Sequence, residues 1–115
     1  MALVLGGCVG EESPGTVVPR FDTADLEHGR AVWMQVCRNC HLMGIAGAPA
    51  ISDSAAWASR RSDNRNRLYE NAIRGIGSEG GWSMPPRGGN ETLSDHDVRL
   101  AVDFMIASVE ALQSD

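Results

Sequence analysis

The most regular pattern of apolar and polar positions lies near the end of the chain. Ser94 precedes it as a candidate N-cap, and Asp97 three residues later pairs with it in the manner of a capping box. Acidic residues in the first turn also suit the positive end of a helix dipole. We therefore predict a long helix that begins after Ser94. The apolar positions at helical spacing that form its buried stripe are Val98, Ala101, Val102, Met105, Ile106 and Val109.

A second helical pattern lies in the first half of the chain and predicts a helix over residues 23–36. Asp22 is the predicted N-cap, with Phe21 and Leu26 packed around it. Gly29 is unfavourable inside a helix by about 1 kcal/mol relative to Ala, so we expect another backbone to pass close to it. The apolar face predicted for this helix comprises Leu26, Gly29, Val32, Trp33 and Val36.

Two shorter helices are predicted between these, over residues 54–60 and 65–74, with Gly75 as the stop of the second. No alternating strand pattern persists along the chain. Residues 75–90 are rich in Gly and Pro, and a loop of about 15 residues in a compact domain is usually functional. The pattern as a whole predicts an all-α fold of about four helices.

The size and charge of the chain narrow the classes of protein to which it can belong. With 115 residues, of which 43% are hydrophobic, it forms one domain with a small core. Such a core is marginal unless a disulfide, a metal or a cofactor strengthens it. The net charge is −5, and all ten Lys and Arg positions are Arg, so the basic surface that nucleic acids bind is absent.

The first twenty residues are predicted to lie outside the folded domain. Residues 1–8 end in Leu-Gly-Gly-Cys, which resembles the end of a bacterial lipoprotein signal whose cysteine becomes lipidated. The alternative is a disordered apolar tail with a free thiol at Cys8. Residues 9–20 contain two Pro and two Gly and are predicted to be a tether. The folded domain then spans residues 21–115.

Residues 37–41 are Cys-Arg-Asn-Cys-His, the C-x-x-C-H signature of c-type haem attachment. Thiols at Cys37 and Cys40 have the spacing to reach the two vinyl groups on one side of a porphyrin. His41 then lies beneath the ring, where its imidazole can bind iron. The same C-x-x-C spacing also builds zinc sites and thiol redox sites, so the pentapeptide alone leaves these chemistries open.

Other parts of the sequence discriminate among these chemistries. A zinc site needs about four ligands, but the chain has no second C-x-x-C, and we expect His28 and His96 to be solvated or satisfied on their helices. A thiol redox site of the thioredoxin kind needs a βαβ context, which the helical pattern lacks. A haem needs a second axial ligand, and Met84 lies downstream in the Gly/Pro-rich loop. If Met84 does not bind, the alternative is a haem sensor or peroxidase-like protein with an open sixth site.

Taken in their order along the chain, these motifs resemble the class I cytochromes c, most closely the small bacterial cytochrome c5 group. The resemblance implies a cytochrome c fold in which the N- and C-terminal helices pack on each other around one haem c, bound covalently through Cys37 and Cys40. It also implies a single-electron carrier of a respiratory or related periplasmic chain, and not an enzyme. It rests on Gly29, Trp33, Phe104, the C-x-x-C-H motif and residues 44–49, 55–60 and 84–89.

The same resemblance implies a role for further residues around the cofactor. The carbonyl of Pro49 accepts the Nδ1–H of His41 and so orients the proximal ligand. Met84 is the sixth ligand of the iron. Arg60 binds a haem propionate through a charge-assisted hydrogen bond. Trp57 donates its indole N–H to a propionate, or else is an ordinary core aromatic.

We expect the partners to be redox proteins, membrane-bound or soluble reductases and oxidases. Docking should use the exposed haem edge, with residues 43–46 and 84–87 as an apolar rim. Because the chain has no Lys, the local charges available there are Arg38 and Arg87. A monomer and a weak dimer are both compatible with the sequence.

Overall fold

The structure is a computed structural model that describes residues 17–77 and 83–113. Within these ranges the fold is all-α, as predicted, and the β-type pairing is a single bridge between Ile76 and Met84. Cys8 and most of the predicted tether lie outside the described residues. The helices are α1 (Ala24–Val32), a π-helical turn (Trp33–Cys37), α2 (Arg38–His41), α3 (Ser54–Arg61), α4 (Arg65–Arg74) and α5 (Asp95–Gln113), with 3₁₀ turns at Ile45–Gly47 and Pro86–Gly89.

The start of α1 differs from the prediction, because its N-cap is Thr23 and not Asp22. Thr23 has an extended backbone, and its Oγ1 accepts the N–H of Leu26 at 3.3 Å. Upstream, Val18 packs against the core and the Pro19 carbonyl accepts a hydrogen bond from Arg30 at 3.0 Å. The folded unit therefore includes residues that the sequence assigned to the tether.

The end of the first helix also lies beyond its prediction, because the helical path does not stop at Val36. It continues through the π-helical turn into α2, and the N–H of Arg38 bonds to the carbonyl of Trp33, five residues earlier. A π turn is a rare local widening of a helix that is often found at functional sites. Here it ends at Cys37, the first residue of the C-x-x-C-H motif.

Helices α1 and α5 cross at a very short distance, and Gly29 makes this possible. A Cβ atom built on Gly29 would lie 2.1 Å from the carbonyl oxygen of Leu100 and 3.1 Å from Cβ of Phe104. The rings of Trp33 and Phe104, both fully buried, pack 5.7 Å apart beside this contact. The expectation of a close backbone at Gly29 is therefore confirmed.

Helix α5 forms as the pattern predicts, and each residue of its apolar stripe is buried. Ser94 Oγ accepts the N–H of Asp97 at 3.0 Å, and the Asp97 carboxylate accepts the N–H of Ser94 at 3.3 Å. The same carboxylate lies 2.9 Å from Nε2 of His28 on α1, so His28 is satisfied, as expected. No helix in the described part of the chain is both long and apolar enough to cross a membrane.

Candidate haem site

A cavity, partly open to solvent, lies between the helices. The wall is mainly apolar, with residues from α4 and α5 on one side and the C-x-x-C-H segment on the other. The fold brings all seven predicted site residues to this wall: Cys37, Cys40, His41, Pro49, Trp57, Arg60 and Met84.

His41 is held in the orientation that leaves one ring nitrogen available. Its Nδ1 lies 2.8 Å from the carbonyl oxygen of Pro49, and because a carbonyl only accepts, Nδ1 carries the proton. Burial lowers the pKa of His41, and the nearby Arg60 adds to this, although the bond to Pro49 acts in the opposite direction. The side chain is therefore a neutral imidazole with a free Nε2 lone pair, the form that binds metals.

The two cysteines of the motif are free thiols on the same wall of the cavity. Burial raises the pKa of the Cys37 thiol to about 12, and the neighbouring Cys40 adds to the rise, against a backbone hydrogen bond that lowers it. At neutral pH this thiol is protonated. It therefore oxidises slowly, because the thiolate is the reactive form.

Met84 lies in the loop of residues 83–90, which we call the methionine loop. The backbone of Met84 pairs with Ile76 through two hydrogen bonds of 2.9 and 3.1 Å. A Cβ atom on Gly75 would lie 2.7 Å from the Met84 carbonyl oxygen, so the close approach of these two backbone segments requires glycine at position 75. This pairing holds Met84 at the cavity wall. The sequence predicted Met84 as a ligand within a long loop but did not predict the pairing with Ile76.

Trp57 and Arg60 occupy one end of the cavity together. The guanidinium of Arg60 lies over the Trp57 ring, 5.7 Å from its centroid, and Nη1 donates to the carbonyl of Ala56. The indole N–H of Trp57 donates to the carbonyl of Ala50 at 2.8 Å. The indole N–H is thus already paired with a backbone carbonyl, as expected of a buried indole. The predicted bond to a propionate and the alternative of an ordinary core aromatic both stay predictions.

Arg87, which we predicted as a docking charge, is paired within the protein, and its docking role stays a prediction. Its Nη2 lies 2.7 Å from Oδ1 of Asp95, and its Nη1 donates to the carbonyl of Leu93 at 3.2 Å. The guanidinium therefore binds the protein itself. No local sequence pattern indicates this contact, because the partners lie six and eight residues away across a non-helical turn.

The predicted apolar rim is present on the side of the C-x-x-C-H motif. Met43 and Ile45 are 55% and 52% exposed, so this segment presents two large apolar side chains to solvent. Ile45 and Ala46 also line the cavity, so this rim joins the site to the surface. Arg38 lies in the adjoining helix α2, and among the described residues its guanidinium makes no hydrogen bond or ion pair.

The donor set at the cavity fits a c-type haem. Two thiols at the required spacing lie beside an oriented neutral imidazole, a thioether lies in the methionine loop, and the remaining wall is mainly apolar and includes the guanidinium of Arg60. These are the groups that bind the vinyls, the iron, the macrocycle and an acidic edge of such a cofactor. The fold and the site thus define a haem-binding helical domain of the c type.

Comparison with known proteins agrees with this class. The family model described as cytochrome c oxidase, cbb3-type, subunit III, matches residues 24–105. Cytochrome c-555 of Chlorobaculum tepidum is 39% identical over 82 residues, covering 71% of this chain and 75% of that protein. Cytochrome c5 of Ectopseudomonas mendocina is 39% identical over 72 residues, covering 60% of this chain and 76% of that protein.

A solved structure supports the same assignment. One chain of the crystal structure described as an electron transfer complex of nitrite reductase with cytochrome c superposes with a TM-score of 0.63 at 30% identity. The superposition covers 71% of this chain and 94% of the other. The chain belongs to the family of small class I c-type cytochromes. It is an electron carrier and not an enzyme, and its cofactor is a covalently bound haem c.

Proposed function

We propose that Cys37 and Cys40 bind the haem through thioethers and that His41 and Met84 are the axial ligands of its iron. The observation that carries this proposal is the convergence of the four side chains on one cavity, with Nδ1 of His41 already bonded to Pro49 and Nε2 free. His28 is paired with Asp97 on the surface, and Met43 is exposed, so neither competes with Met84.

With His41 and Met84 as its ligands, the haem would supply one-electron exchange and would offer no open iron position to a substrate. The chain's own contribution is to hold the ligands and set their chemistry. The Pro49 carbonyl fixes the ring of His41 and increases its basicity. The Met84 thioether is a soft ligand that favours reduced iron and raises the reduction potential. The mainly apolar wall excludes water from the ring.

Arg60 is proposed to bind a haem propionate. Its guanidinium lies at the cavity wall, and the bond to Ala56 and the contact with the Trp57 ring leave several of its five N–H groups available. A charged donor of this kind matches a carboxylate in an otherwise apolar site. Since the Trp57 indole already binds Ala50, Arg60 is the donor to test.

The partners are proposed to be redox proteins of the reductase kind and their counterparts in a periplasmic chain. Support for this comes from the matched structure, which is described as an electron transfer complex of nitrite reductase with cytochrome c. We propose that docking uses the rim of Met43, Ile45 and Ala46, with Arg38 as its local positive charge. A small apolar contact of this kind suits the small, short-lived interfaces of redox encounters.

Lipid anchoring through Cys8 remains a separate proposal, based on the Leu-Gly-Gly-Cys sequence that precedes the domain. A single acylated cysteine would tether the protein to a membrane surface without a spanning helix. Mass spectrometry of full-length protein from a bacterial membrane fraction tests it. A lipid-sized mass increase on Cys8 supports the anchor, and an unmodified Cys8 thiol rejects it.

The axial ligation is tested by absorption spectroscopy of protein produced in a host that attaches haem c. We expect a low-spin six-coordinate spectrum with the thioether-to-iron charge-transfer band in the oxidised state. Met84→Leu should abolish this band, and the reduced variant should bind CO readily, whereas the surface control Met43→Leu should retain the native spectrum. A colourless protein would overturn the proposal, and an unchanged sixth bond in Met84→Leu would overturn the ligand assignment.

A further inference from the structure

We propose that Arg87 is a positioning residue that clamps the methionine loop to the start of α5 and so keeps the Met84 sulfur on the iron. This inference rests on the proposed function, because it takes Met84 as the sixth ligand. It assigns to Arg87 a role within the protein in place of the docking role that the sequence suggested.

The contacts of Arg87 form a two-point attachment. Nη2 pairs with the Asp95 carboxylate at 2.7 Å, and Nη1 donates to the Leu93 carbonyl at 3.2 Å. The Arg87 side chain is only 26% exposed. A planar guanidinium that binds two acceptors in fixed directions restrains orientation as well as distance. The methionine loop is therefore attached to both the entry and the first turn of α5.

The backbone at Arg87 indicates that this attachment is required. Its φ is 55° and its ψ is 31°, the left-handed region that residues with a Cβ avoid. The two following positions, Gly88 and Gly89, also have positive φ and carry the residue type suited to it. A non-glycine residue persists in such a conformation where surrounding contacts over-determine it. At Arg87 these contacts are the two guanidinium bonds and the hydrogen bond that its carbonyl accepts from the N–H of Asn90 at 3.1 Å.

The segment between the clamp and the ligand is short and stiff. Pro85 and Pro86 alone separate Met84 from Arg87, and the ring of each proline fixes φ. A displacement of Arg87 is therefore transmitted to Met84 instead of being absorbed by the chain. On the other side of the loop, a Cβ on Gly88 would lie 3.0 Å from Cγ2 of Val36, so the loop also rests on the residue that precedes Cys37.

If Arg87 had a purely structural role, its substitution would have different effects. If Arg87 only supported the N-terminus of α5, its loss would lower the global stability and leave the ligation of the folded protein unchanged. If it positions Met84, its loss shortens the lifetime of the sixth bond in protein that remains folded. Exogenous imidazole distinguishes these cases, because it binds ferric iron only when the native sixth ligand has left.

The test compares Arg87→Gln, Arg87→Lys and Asp95→Asn with the native protein at a pH where imidazole is neutral. Arg67→Gln is the matched control, since Arg67 of α4 forms a solvent-exposed ion pair with Asp63, which precedes that helix. We expect Arg87→Gln to bind imidazole about fivefold more tightly than native protein, a modest factor because Asp95 is half-exposed. Arg87→Lys keeps the positive charge but not the planar guanidinium that binds two acceptors. Its imidazole affinity should lie between those of the native protein and Arg87→Gln.

Amide hydrogen exchange provides a readout that does not depend on the haem spectrum. Arg87→Gln should accelerate exchange at the N–H groups of Gly88 and Asn90, which bond within the methionine loop, while exchange in α1 stays unchanged. If Arg87→Gln fails to fold, Asp95→Asn removes the ion pair alone and should show the same changes at about half the size.

The outcomes separate this inference from the proposed function. If Met84→Leu removes the sixth bond but Arg87→Gln and Asp95→Asn match Arg67→Gln in imidazole affinity, the clamp is overturned and the ligand assignment stands. If Met84→Leu leaves the sixth bond intact, both are overturned. Tighter imidazole binding in Arg87→Gln and Asp95→Asn, with Arg67→Gln at the native value, supports the clamp.

Discussion

The crossing of α1 and α5 and the methionine loop are built on opposite principles. At the crossing, Trp33 and Phe104 are fully buried, and the fit is so close that only glycine is tolerated at position 29. In the methionine loop, three consecutive residues have left-handed backbone and the restraint comes from a few polar contacts. Large apolar burial stabilises the first region, whereas directional bonds define the second.

The difference indicates that the two regions have different roles, one in the stability of the fold and the other in the placement of a ligand atom. A crossing based on area and shape stabilises the fold whether or not the ligand atoms are well placed. A loop based on a few directional contacts contributes little to the free energy of unfolding but decides where one sulfur atom lies. Substitutions in the two regions should therefore have separable effects, one on global stability and the other on ligation.

The largest effect is expected for Phe104→Ala at the crossing. Phe104 packs against both Trp33 and Phe21, and its truncation leaves a cavity, so we expect a loss of about 3–5 kcal/mol in the free energy of unfolding. Urea titration followed by helical circular dichroism measures it. Phe21→Ala, at a half-buried ring, is the control and should cost less. Equal losses in the two variants would show that Phe104 is not the centre of the crossing.

A smaller loss of about 1–3 kcal/mol is expected for Gly29→Ala, because the new Cβ would collide with the Leu100 carbonyl. Helix propensity alone predicts the opposite sign, a gain of about 1 kcal/mol. The direction of the shift in the urea midpoint therefore shows whether the collision with Leu100 or the helix propensity dominates. At Gly77 a Cβ meets no atom of the described residues within 4 Å, so Gly77→Ala should leave the midpoint nearly unchanged. A Gly29→Ala variant more stable than the native protein would refute the close crossing.

In the methionine loop, Gly88→Ala should act locally. Its φ is +64°, and the new Cβ would press on Val36, so we expect a local destabilisation of about 1–2 kcal/mol. Hydrogen exchange should accelerate at the Gly88 and Met84 amides while the amides of α5 keep their native rates. Faster exchange throughout α5 would mean that the methionine loop and the helix crossing unfold as one unit. Substitutions in the two regions would then not have separable effects.

The smallest effect concerns pH and the contact between α1 and α5 at the surface. Hydrogen bonds from His28 and then from Ser94 lower the pKa of Asp97 below its ordinary value of 3.8. The associated stability is fully present above pH 3.8 and is lost as the pH falls through the lower pKa of the folded state. In Asp97→Asn, the decline of stability in this acidic range should be shallower.

His28→Ala is the companion variant for this titration, because His28 is the largest cause of the Asp97 shift. It should reproduce most of the shallower decline while leaving the Ser94 cap in place. Urea midpoints measured at a series of pH values provide the comparison. A decline in both variants as steep as that of the native protein would show that this ion pair does not link the helices.

Local patterns in the sequence predicted the helices and the centre of the site. Periodicity located α4 and α5, because a face of apolar side chains must recur at helical spacing to reach a common core. The C-x-x-C-H motif and the Ser94–Asp97 cap involve residues within one turn of each other, so their geometry is nearly fixed by spacing alone. Even here the N-cap of α1 was misplaced by one residue, since Asp22 and Thr23 are both good caps.

Contacts between distant segments decided the rest. The sequence could not predict that Trp57 would find the Ala50 carbonyl, that Arg87 would reach Asp95, or that a π turn would precede Cys37. Each depends on where two elements meet after they pack, and a polar side chain takes whichever acceptor that packing brings within reach. The sequence by itself determined the helices and the haem-binding motif; the tertiary structure decided which polar groups remain free to act on the cofactor.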